Sequence, residues 1–197
     1  MGLDPIHRGG AQSQVRSAGE PPTRPVSGEQ PVRGARITVG IADGAVSNRR
    51  GDELITYALG SCLGLAIYDP VAGIGGLFHG MLPSAASAPD KAATHPWMFV
   101  ELGVPKLFHA CYQLGAQKHR LVVVAAGGAS LTAGADDAFQ VGHRNITILR
   151  KLLWKNSVLL HGSDLGGFQS RTMSLDVATG EFWINSGGVK RLLKRAK

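Results

Sequence analysis

The stretch LGSCLGLAIY at residues 59–68 decides the fold, because with GIGGLFHGML at residues 73–82 it predicts a central β-hairpin. The four residues DPVA at 69–72 lie between the two runs and form a turn signal. If these four residues are the loop, the numbers of opposed residues add up to 141, and Cys62 lies opposite His79. Opposed residues of an antiparallel pair share a face, with Cβ atoms roughly 4.5–5.5 Å apart. The predicted register therefore places an imidazole beside a thiol.

An imidazole beside a thiol can accept the thiol proton, which makes the cysteine a nucleophile. The predicted face around Cys62 carries the small residues Gly60, Gly64 and Ala66, which leave room for a substrate. The alternative is that Cys62 is a small buried hydrophobic residue and that His79 is a hydrogen-bonded core or surface residue. The prediction depends on the register, because a one-residue slip sends His79 to the opposite face.

The composition is typical of a globular domain, since 44% of the 197 residues are hydrophobic and 18% are charged. No apolar run approaches the roughly 20 residues of a transmembrane helix, so we expect no stable insertion into a membrane. The N-terminus lacks the apolar core of a signal peptide, and two cysteines are too few for a disulfide framework. These features predict a cytoplasmic protein, in which a thiol stays reduced.

The net charge of +7 is concentrated at the C-terminus. Residues 189–197 contain five basic residues and no acid, whereas residues 35–188 contain twelve basic and eleven acidic residues. A nucleic-acid-binding domain would show a basic face with stacking aromatic residues, so the nearly neutral body predicts no nucleic-acid partner. The basic segment is predicted to be a solvated terminal helix, with contact to an acidic partner or a membrane surface as the alternative.

The chain divides into three segments. Residues 1–34 are rich in Gly, Pro, Ser, Gln and Arg and predict a disordered leader. Residues 35–188 predict one domain, and residues 189–197 are a basic C-terminal tail.

Within the domain, the apolar spacing predicts one helix over residues 99–114 and a second that begins at an Asn145 N-cap. Residues 142–145 are interpreted as serving this cap, with a place in the functional site as the alternative. Six or seven β-prone runs accompany them, among them residues 158–161, whereas Asp43 and Gly44 indicate a loop. The predicted fold class is a single-domain α/β sandwich with mixed or antiparallel sheets and two main helices.

Three further features have a structural interpretation beside the functional one. Thr56 offers a hydroxyl that can orient the imidazole or contact a substrate amide, but threonine is also simply common in strands. Cys111 lies on the apolar stripe of the first helix and is interpreted as core. The GGA run at 127–129 resembles a phosphate-binding loop only loosely, and no His or Cys spacing suits zinc. We therefore expect no metal and no cofactor.

The chain resembles the CheD family of chemoreceptor glutamine deamidases in TYALGSC at 56–62, YDP at 68–70, GGLFH at 75–79 and MLP at 81–83. The similarity runs from about residue 36 to residue 184. Further matching residues are VGIAD at 39–43, LGA at 114–116, GGA at 127–129, Gly142, RN at 144–145, GG at 166–167 and Arg171.

The resemblance implies a cysteine amidohydrolase that converts protein glutamine to glutamate. The family's nucleophile, base and assisting threonine fall on Cys62, His79 and Thr56. The implied fold is related to the catalytic domain of cytotoxic necrotising factor toxins. The implied substrates are the cytoplasmic helices of bacterial chemotaxis receptors, and the usual partner of the family is the response-regulator phosphatase CheC.

The chain departs from the family pattern in two places. Val124 and Ala126 stand where the family usually has Lys and Phe, and Phe99 and Glu101 stand where it usually has Tyr and Asp. None of these positions is a presumed catalytic group, so the departures bear on substrate choice and on partner docking.

The predicted chemistry is attack by Cys62 on the glutamine amide, a thioester intermediate and release of ammonia. Backbone N–H groups around Gly60 and Ser61 are candidates for stabilising the oxyanion. Two alternatives remain open. The first alternative to a deamidase is a non-catalytic module that docks on a receptor or on a CheC-like phosphatase. The second is a thiol enzyme for another reaction, such as glutamine transamidation.

Overall fold

The computed structural model describes residues 34–130 and 140–196. The predicted leader over residues 1–34 lies outside the described residues, apart from Gly34. The elements follow in the order β1 (Arg36–Thr38), β2 (Asp43–Ser47), β3 (Glu53–Leu59), β4 (Leu63–Asp69), β5 (Ile74–Gly80), α1 (Val100–Gln113), β6 (Val122–Gly127), α2 (Val141–Lys155), β7 (Gly162–Leu165), β8 (Arg171–Asp176), β9 (Glu181–Ser186) and β10 (Val189–Arg195). Short 3-10 turns lie at Ala85–Ser87, Pro89–Lys91, Pro96–Met98 and Lys118–Arg120.

The ten strands of the described residues form two five-stranded sheets. The first sheet has the order β1-β3-β8-β9-β10, with β1 parallel to β3 and its other pairs antiparallel. The second sheet has the order β2-β5-β4-β6-β7, with β7 parallel to β6 and its other pairs antiparallel. The predicted α/β sandwich with mixed sheets and two helices is confirmed. Neither of the two described helices is long and apolar enough to cross a bilayer.

The second sheet is the middle layer of the domain that the structure describes. One of its faces packs on α1 and α2 through residues such as Leu65, Phe78 and Leu107. The other face packs on the first sheet, where Leu77 joins a core that includes Leu175. Because both faces are covered, every residue of β4 and β5 is buried, which explains why these strands are continuous apolar runs in the sequence.

The central hairpin forms, but its register differs from the prediction. Tyr68 pairs with Gly75, Asp69 pairs with Ile74, and the loop consists of residues 70–73. The reason is the turn itself: the Asp69 carbonyl accepts from the Gly73 N–H at 2.8 Å, and Gly73 has a φ of +65°. Consequently Gly64, not Cys62, lies opposite His79. The register is shifted by two residues. Because side chains alternate between the two faces of a strand, a shift by an even number leaves every side chain of the hairpin on its predicted face.

Two other expectations along the chain are wrong. Asp43 and Gly44 belong to β2, because they complete the ladder to β5 opposite His79 and Phe78. Residues 158–161 precede β7 and are not a strand. Val158 and Leu160 pack as partly buried side chains against the helix layer, so their apolar character serves the core.

The basic C-terminal segment is a strand and not the predicted helix. β10 pairs antiparallel with β9 and forms an edge of the first sheet. Arg191 forms an ion pair with Asp164 at 2.6 Å, Arg195 forms one with Glu181, and the Lys190 amine lies 4.9 Å from the centre of the Trp183 ring. The backbone hydrogen bonds between β10 and β9 thus outweigh the helical spacing of the apolar residues in this segment. The charged side chains along this exposed edge disfavour pairing with strands of other chains.

Candidate active site

Thr56 and His79 meet between the two sheets. Thr56 lies on β3 of the first sheet and His79 on β5 of the second, and both are fully buried. The Thr56 Oγ1 and the His79 Nδ1 are 2.7 Å apart. The imidazole therefore points into the layer between the sheets, and a hydroxyl from the opposite sheet fixes its orientation.

The hydrogen bonds around Thr56 define which nitrogen of the ring carries the proton. The Thr56 hydroxyl donates its only hydrogen to the Val39 carbonyl at 2.8 Å. Its oxygen must then accept from His79, so the hydrogen of the neutral ring is on Nδ1. This leaves the lone pair on Nε2, and Nε2 has no hydrogen-bond partner among the described residues. A free lone pair on a fixed ring is what a general base requires.

Burial keeps both candidate reacting groups neutral. It lowers the pKa of His79 from 6.5 to about 4, so the imidazole is unprotonated at neutral pH. Burial also raises the pKa of the half-buried Cys62 thiol. The resting pair is therefore a thiol and a neutral imidazole rather than a thiolate and an imidazolium ion. Such a pair reacts by transferring the proton during attack.

Cys62 lies in the tight turn between β3 and β4, one residue before β4 begins. The ladder between β3 and β8 shifts after Thr56, and Ala58 has a φ of +57°. A non-glycine residue in this region carries backbone strain, and such strain concentrates at functional sites. The Cys62 side chain packs against the core between the sheets, the layer that also contains the His79 ring.

Three consecutive carbonyl groups of this turn are held by other elements. The Gly60 carbonyl accepts from the Ala129 N–H at 2.8 Å, and the Cys62 carbonyl accepts from the Gly128 N–H at 2.8 Å. The Ser61 carbonyl accepts from the Asn145 side chain at 2.9 Å. The GGA run, which resembles a phosphate-binding loop in the sequence, thus holds the backbone of the cysteine turn.

The predicted oxyanion donors differ in their availability. The Gly60 N–H already donates to the Ala58 carbonyl at 2.9 Å. In the part of the chain that the structure describes, no other residue accepts from the N–H of Ser61 or of Cys62, and the Cys62 N–H contacts the sulfur of its own side chain. Ser61 remains a candidate donor, Cys62 joins it, and Gly60 is the weaker candidate.

The predicted site residues occupy one region, but Cys62 and His79 are not opposed across the hairpin as the sequence predicts. Because Gly64 opposes His79, Cys62 is displaced by two residues toward the end of the hairpin. No hydrogen bond joins the Cys62 thiol to Nε2 among the described residues. Bonds between catalytic groups are often long without substrate and shorten when it binds. Cys111 is separate from this region: it is buried in the core between the second sheet and the helices.

The sequence interpretation favoured a capping role for Asn145 over a place in the site, and it missed the Val39 carbonyl. Asn145 was expected to cap a helix, but α2 begins at Val141 and places Asn145 in its second turn, fully buried against the cysteine turn. A polar residue at a buried helix position is the signal that could have identified it. The role of the Val39 carbonyl cannot be recognised in the sequence, because every residue has a backbone carbonyl.

These features define an α/β sandwich with a threonine–histidine pair between its sheets and a cysteine turn beside that pair. The family model described as CheD chemotactic sensory transduction matches residues 81–186. The chain is 49% identical over 154 residues to the probable chemoreceptor glutamine deamidase CheD 1 of Syntrophus aciditrophicus (strain SB), which covers 77% of this chain and 94% of that protein. It is 44% identical over 158 residues to the probable chemoreceptor glutamine deamidase CheD of Solibacter usitatus (strain Ellin6076), covering 80% and 93%.

The chain belongs to the CheD family. A third relative, the probable chemoreceptor glutamine deamidase CheD of Clostridium botulinum (strain Hall), is 39% identical over 155 residues, which cover 78% of this chain and 94% of that protein. A crystal structure of the Bacillus licheniformis hypothetical protein YfiH is similar with a TM-score of 0.40 and 16% identity, over 64% of this chain and 49% of that one. That similarity is too low to carry an argument.

Proposed function

We propose that the protein deamidates glutamine side chains of bacterial chemotaxis receptors through a thioester on Cys62. The observation that carries the proposal is the hydrogen-bond chain from His79 Nδ1 through Thr56 to the Val39 carbonyl. This chain leaves the Nε2 lone pair available beside the cysteine turn. The names of the similar proteins, which are probable chemoreceptor glutamine deamidases, give the substrate.

In the first half of the reaction, the Cys62 sulfur attacks the side-chain carbonyl carbon of glutamine and its proton passes to His79 Nε2. The carbonyl oxygen becomes an oxyanion, which the N–H groups of Ser61 and Cys62 stabilise. The carbon–nitrogen bond then breaks, and the departing amine takes the proton from Nε2 and leaves as ammonia. The product of this half is a thioester between Cys62 and the substrate.

In the second half, a water molecule gives a proton to Nε2 and attacks the thioester carbon. The carbon–sulfur bond breaks, the sulfur takes the proton back, and the side chain is released as glutamate. The net reaction consumes one water and produces one ammonia. Each turnover adds a negative charge to a receptor helix, which is how the reaction would shift the signalling balance of the receptor.

The reaction takes place in the cytoplasm in this proposal, because the receptor helices lie there. A CheC-like phosphatase partner remains a prediction that rests on the resemblance to the family.

The direct test is incubation of a receptor cytoplasmic fragment with the protein, followed by mass spectrometry of its peptides. Glutamine should become glutamate at defined positions, and ammonia should be released in equal amount. The matched control is Cys62→Ala. Unmodified glutamine after incubation with folded wild-type protein would favour the docking-module alternative. Incorporation of an added amine in place of hydrolysis would identify a transamidase.

A further inference from the structure

Asn145 connects the turn that carries Cys62 with the strand that carries His79. Its Nδ2 group donates to the Ser61 carbonyl at 2.9 Å and to the Met81 carbonyl at 3.2 Å. Ser61 precedes the cysteine by one residue, and Met81 follows the histidine by two. An amide group has two hydrogens, so both are used, one on each side of the site. One side chain therefore holds the backbones of the two reacting residues relative to each other.

The contact with Ser61 also sets the direction of the Cys62 N–H. In a planar trans peptide, the carbonyl of one residue and the N–H of the next point in opposite directions. Because α2 holds the Ser61 carbonyl through Asn145, the Cys62 N–H must point away from that helix. No other described residue accepts a hydrogen bond from this N–H, which contacts only the sulfur of its own side chain. An N–H that is fixed beside the nucleophilic sulfur and bound by no other residue is suited to bind an oxyanion.

The orientation of the Asn145 amide follows from its surroundings. If the group were turned over, its oxygen would face the carbonyl oxygens of Ser61 and Met81, and the contacts would be repulsive. The Oδ1 atom thus faces the other way, where it is buried and has no partner among the described residues. A buried acceptor without a donor destabilises the fold. Stability alone is a poor reason for an asparagine at this position, whereas a role in the site accounts for it.

We infer that Asn145 is a positioning residue for the proposed deamidation. It orients the Ser61–Cys62 peptide so that the Cys62 N–H faces the oxyanion, and it holds the cysteine turn against the strand of His79. The inference rests on the proposed function, but the following measurements allow the two to fail separately.

The first measurement compares the deamidation kinetics of Asn145→Ala and Asn156→Ala. Asn156 is the matched control, because it is an exposed asparagine at the end of α2 whose side chain donates to the Leu152 carbonyl. Asn145→Ala should lower kcat by about 10- to 1000-fold and change KM less than about threefold, since only the transition state needs the oriented N–H. Asn156→Ala should match the wild type. A wild-type kcat, or a rise in KM alone, in folded Asn145→Ala would overturn the inference.

The second measurement uses Asn145→Asp, which keeps the shape of the side chain and makes its capacity to donate depend on pH. An ionised carboxylate cannot donate to the Ser61 carbonyl, whereas a protonated carboxyl has one O–H donor. Activity relative to the wild type should therefore rise as the pH is lowered from about 8 to about 6. A ratio that stays flat across this range, with the variant folded throughout, contradicts a positioning role.

The third measurement does not need the glutamine substrate. The rate at which iodoacetamide alkylates Cys62 is followed against pH in the wild type, Asn145→Ala and His79→Ala. If Asn145 holds the turn against the histidine strand, its alanine variant should change the pH profile in the same direction as His79→Ala. A wild-type profile overturns the inference even where the chain proves not to be a deamidase, and a wild-type chain that leaves glutamine intact refutes the proposed function alone.

Discussion

Thr56 and His79 lie on different sheets, yet the Thr56 Oγ1 is 2.7 Å from the His79 Nδ1. The contact joins the layers of the sandwich at the position of the candidate site. Since the same hydroxyl donates to the Val39 carbonyl, the relationship has a direction: the threonine accepts from the ring and passes its own hydrogen to the backbone. The protonation of the ring and the reactivity expected at Nε2 both depend on it.

Removal of the Thr56 hydroxyl should reduce activity and stability together. Thr56→Val keeps the shape but leaves the Nδ1 hydrogen and the Val39 carbonyl without partners, which costs about 1–3 kcal/mol of unfolding free energy for buried groups. The imidazole also loses its fixed orientation, so kcat should fall by about 10- to 100-fold. Deamidation kinetics and urea unfolding measure the two effects. Thr56→Ser restores the hydroxyl and should recover most of the activity; a fully active valine variant would exclude this role.

The two cysteines should behave differently under substitution. Cys62→Ala should abolish deamidation, because no other thiol lies near His79 among the described residues. Cys111→Ala should retain the activity and lose only packing, since Cys111 is 1% exposed in the core beneath the helices. Mass spectrometry of receptor peptides gives the comparison. Equal loss in both variants, with Cys111→Ala still folded, would show that the wrong thiol has been assigned.

The pKa of His79 predicts a contribution to the pH dependence of stability. Between the ordinary pKa of 6.5 and the folded value of about 4, the unfolded chain binds a proton that the folded chain does not. Unfolding free energy should therefore fall as the pH drops through this range, by up to about 3 kcal/mol. Urea unfolding near neutral and acidic pH should show a smaller fall for His79→Gln than for the wild type. The exposed His119 supplies the control, and a His119→Gln variant with the same reduced slope would refute the assignment.

A methyl group at Gly127 should displace the cysteine turn. Gly127 has a φ of +104°, and a Cβ there would lie 2.2 Å from the Cys62 carbonyl oxygen. Gly115 has almost the same φ, +105°, but no described atom lies within 4 Å of its Cβ position. Both alanine variants should lose about 1–3 kcal/mol of stability through backbone strain. Only Gly127→Ala should also lose kcat.

Activity and thermal unfolding of the two glycine variants distinguish these effects. Comparable loss of kcat in Gly115→Ala, or normal kcat in Gly127→Ala, would show that the turn does not depend on the space at Gly127.

Local patterns in the chain were enough for most of the architecture. The apolar runs of β4, β6 and β8, the helical spacing of α1 and the turn around Asp69 can all be recognised without coordinates, because each depends on neighbouring residues. Two of the wrong predictions have a different cause. The helix predicted for residues 189–195 and the cap predicted at Asn145 ignore partners that are distant in sequence, namely β9 and the cysteine turn.

From its own residues the chain specifies a two-helix sandwich and points to Cys62 and His79, because periodicity and spacing are local properties. Long-range packing alone establishes which groups surround those two residues. Only the stacking of two sheets brings Thr56 beneath the imidazole, and only the approach of α2 ties the Ser61 carbonyl to Asn145. The first contact joins residues that are 23 positions apart in the sequence, and the second joins residues that are 84 positions apart. A pattern of neighbouring residues cannot predict contacts over such separations.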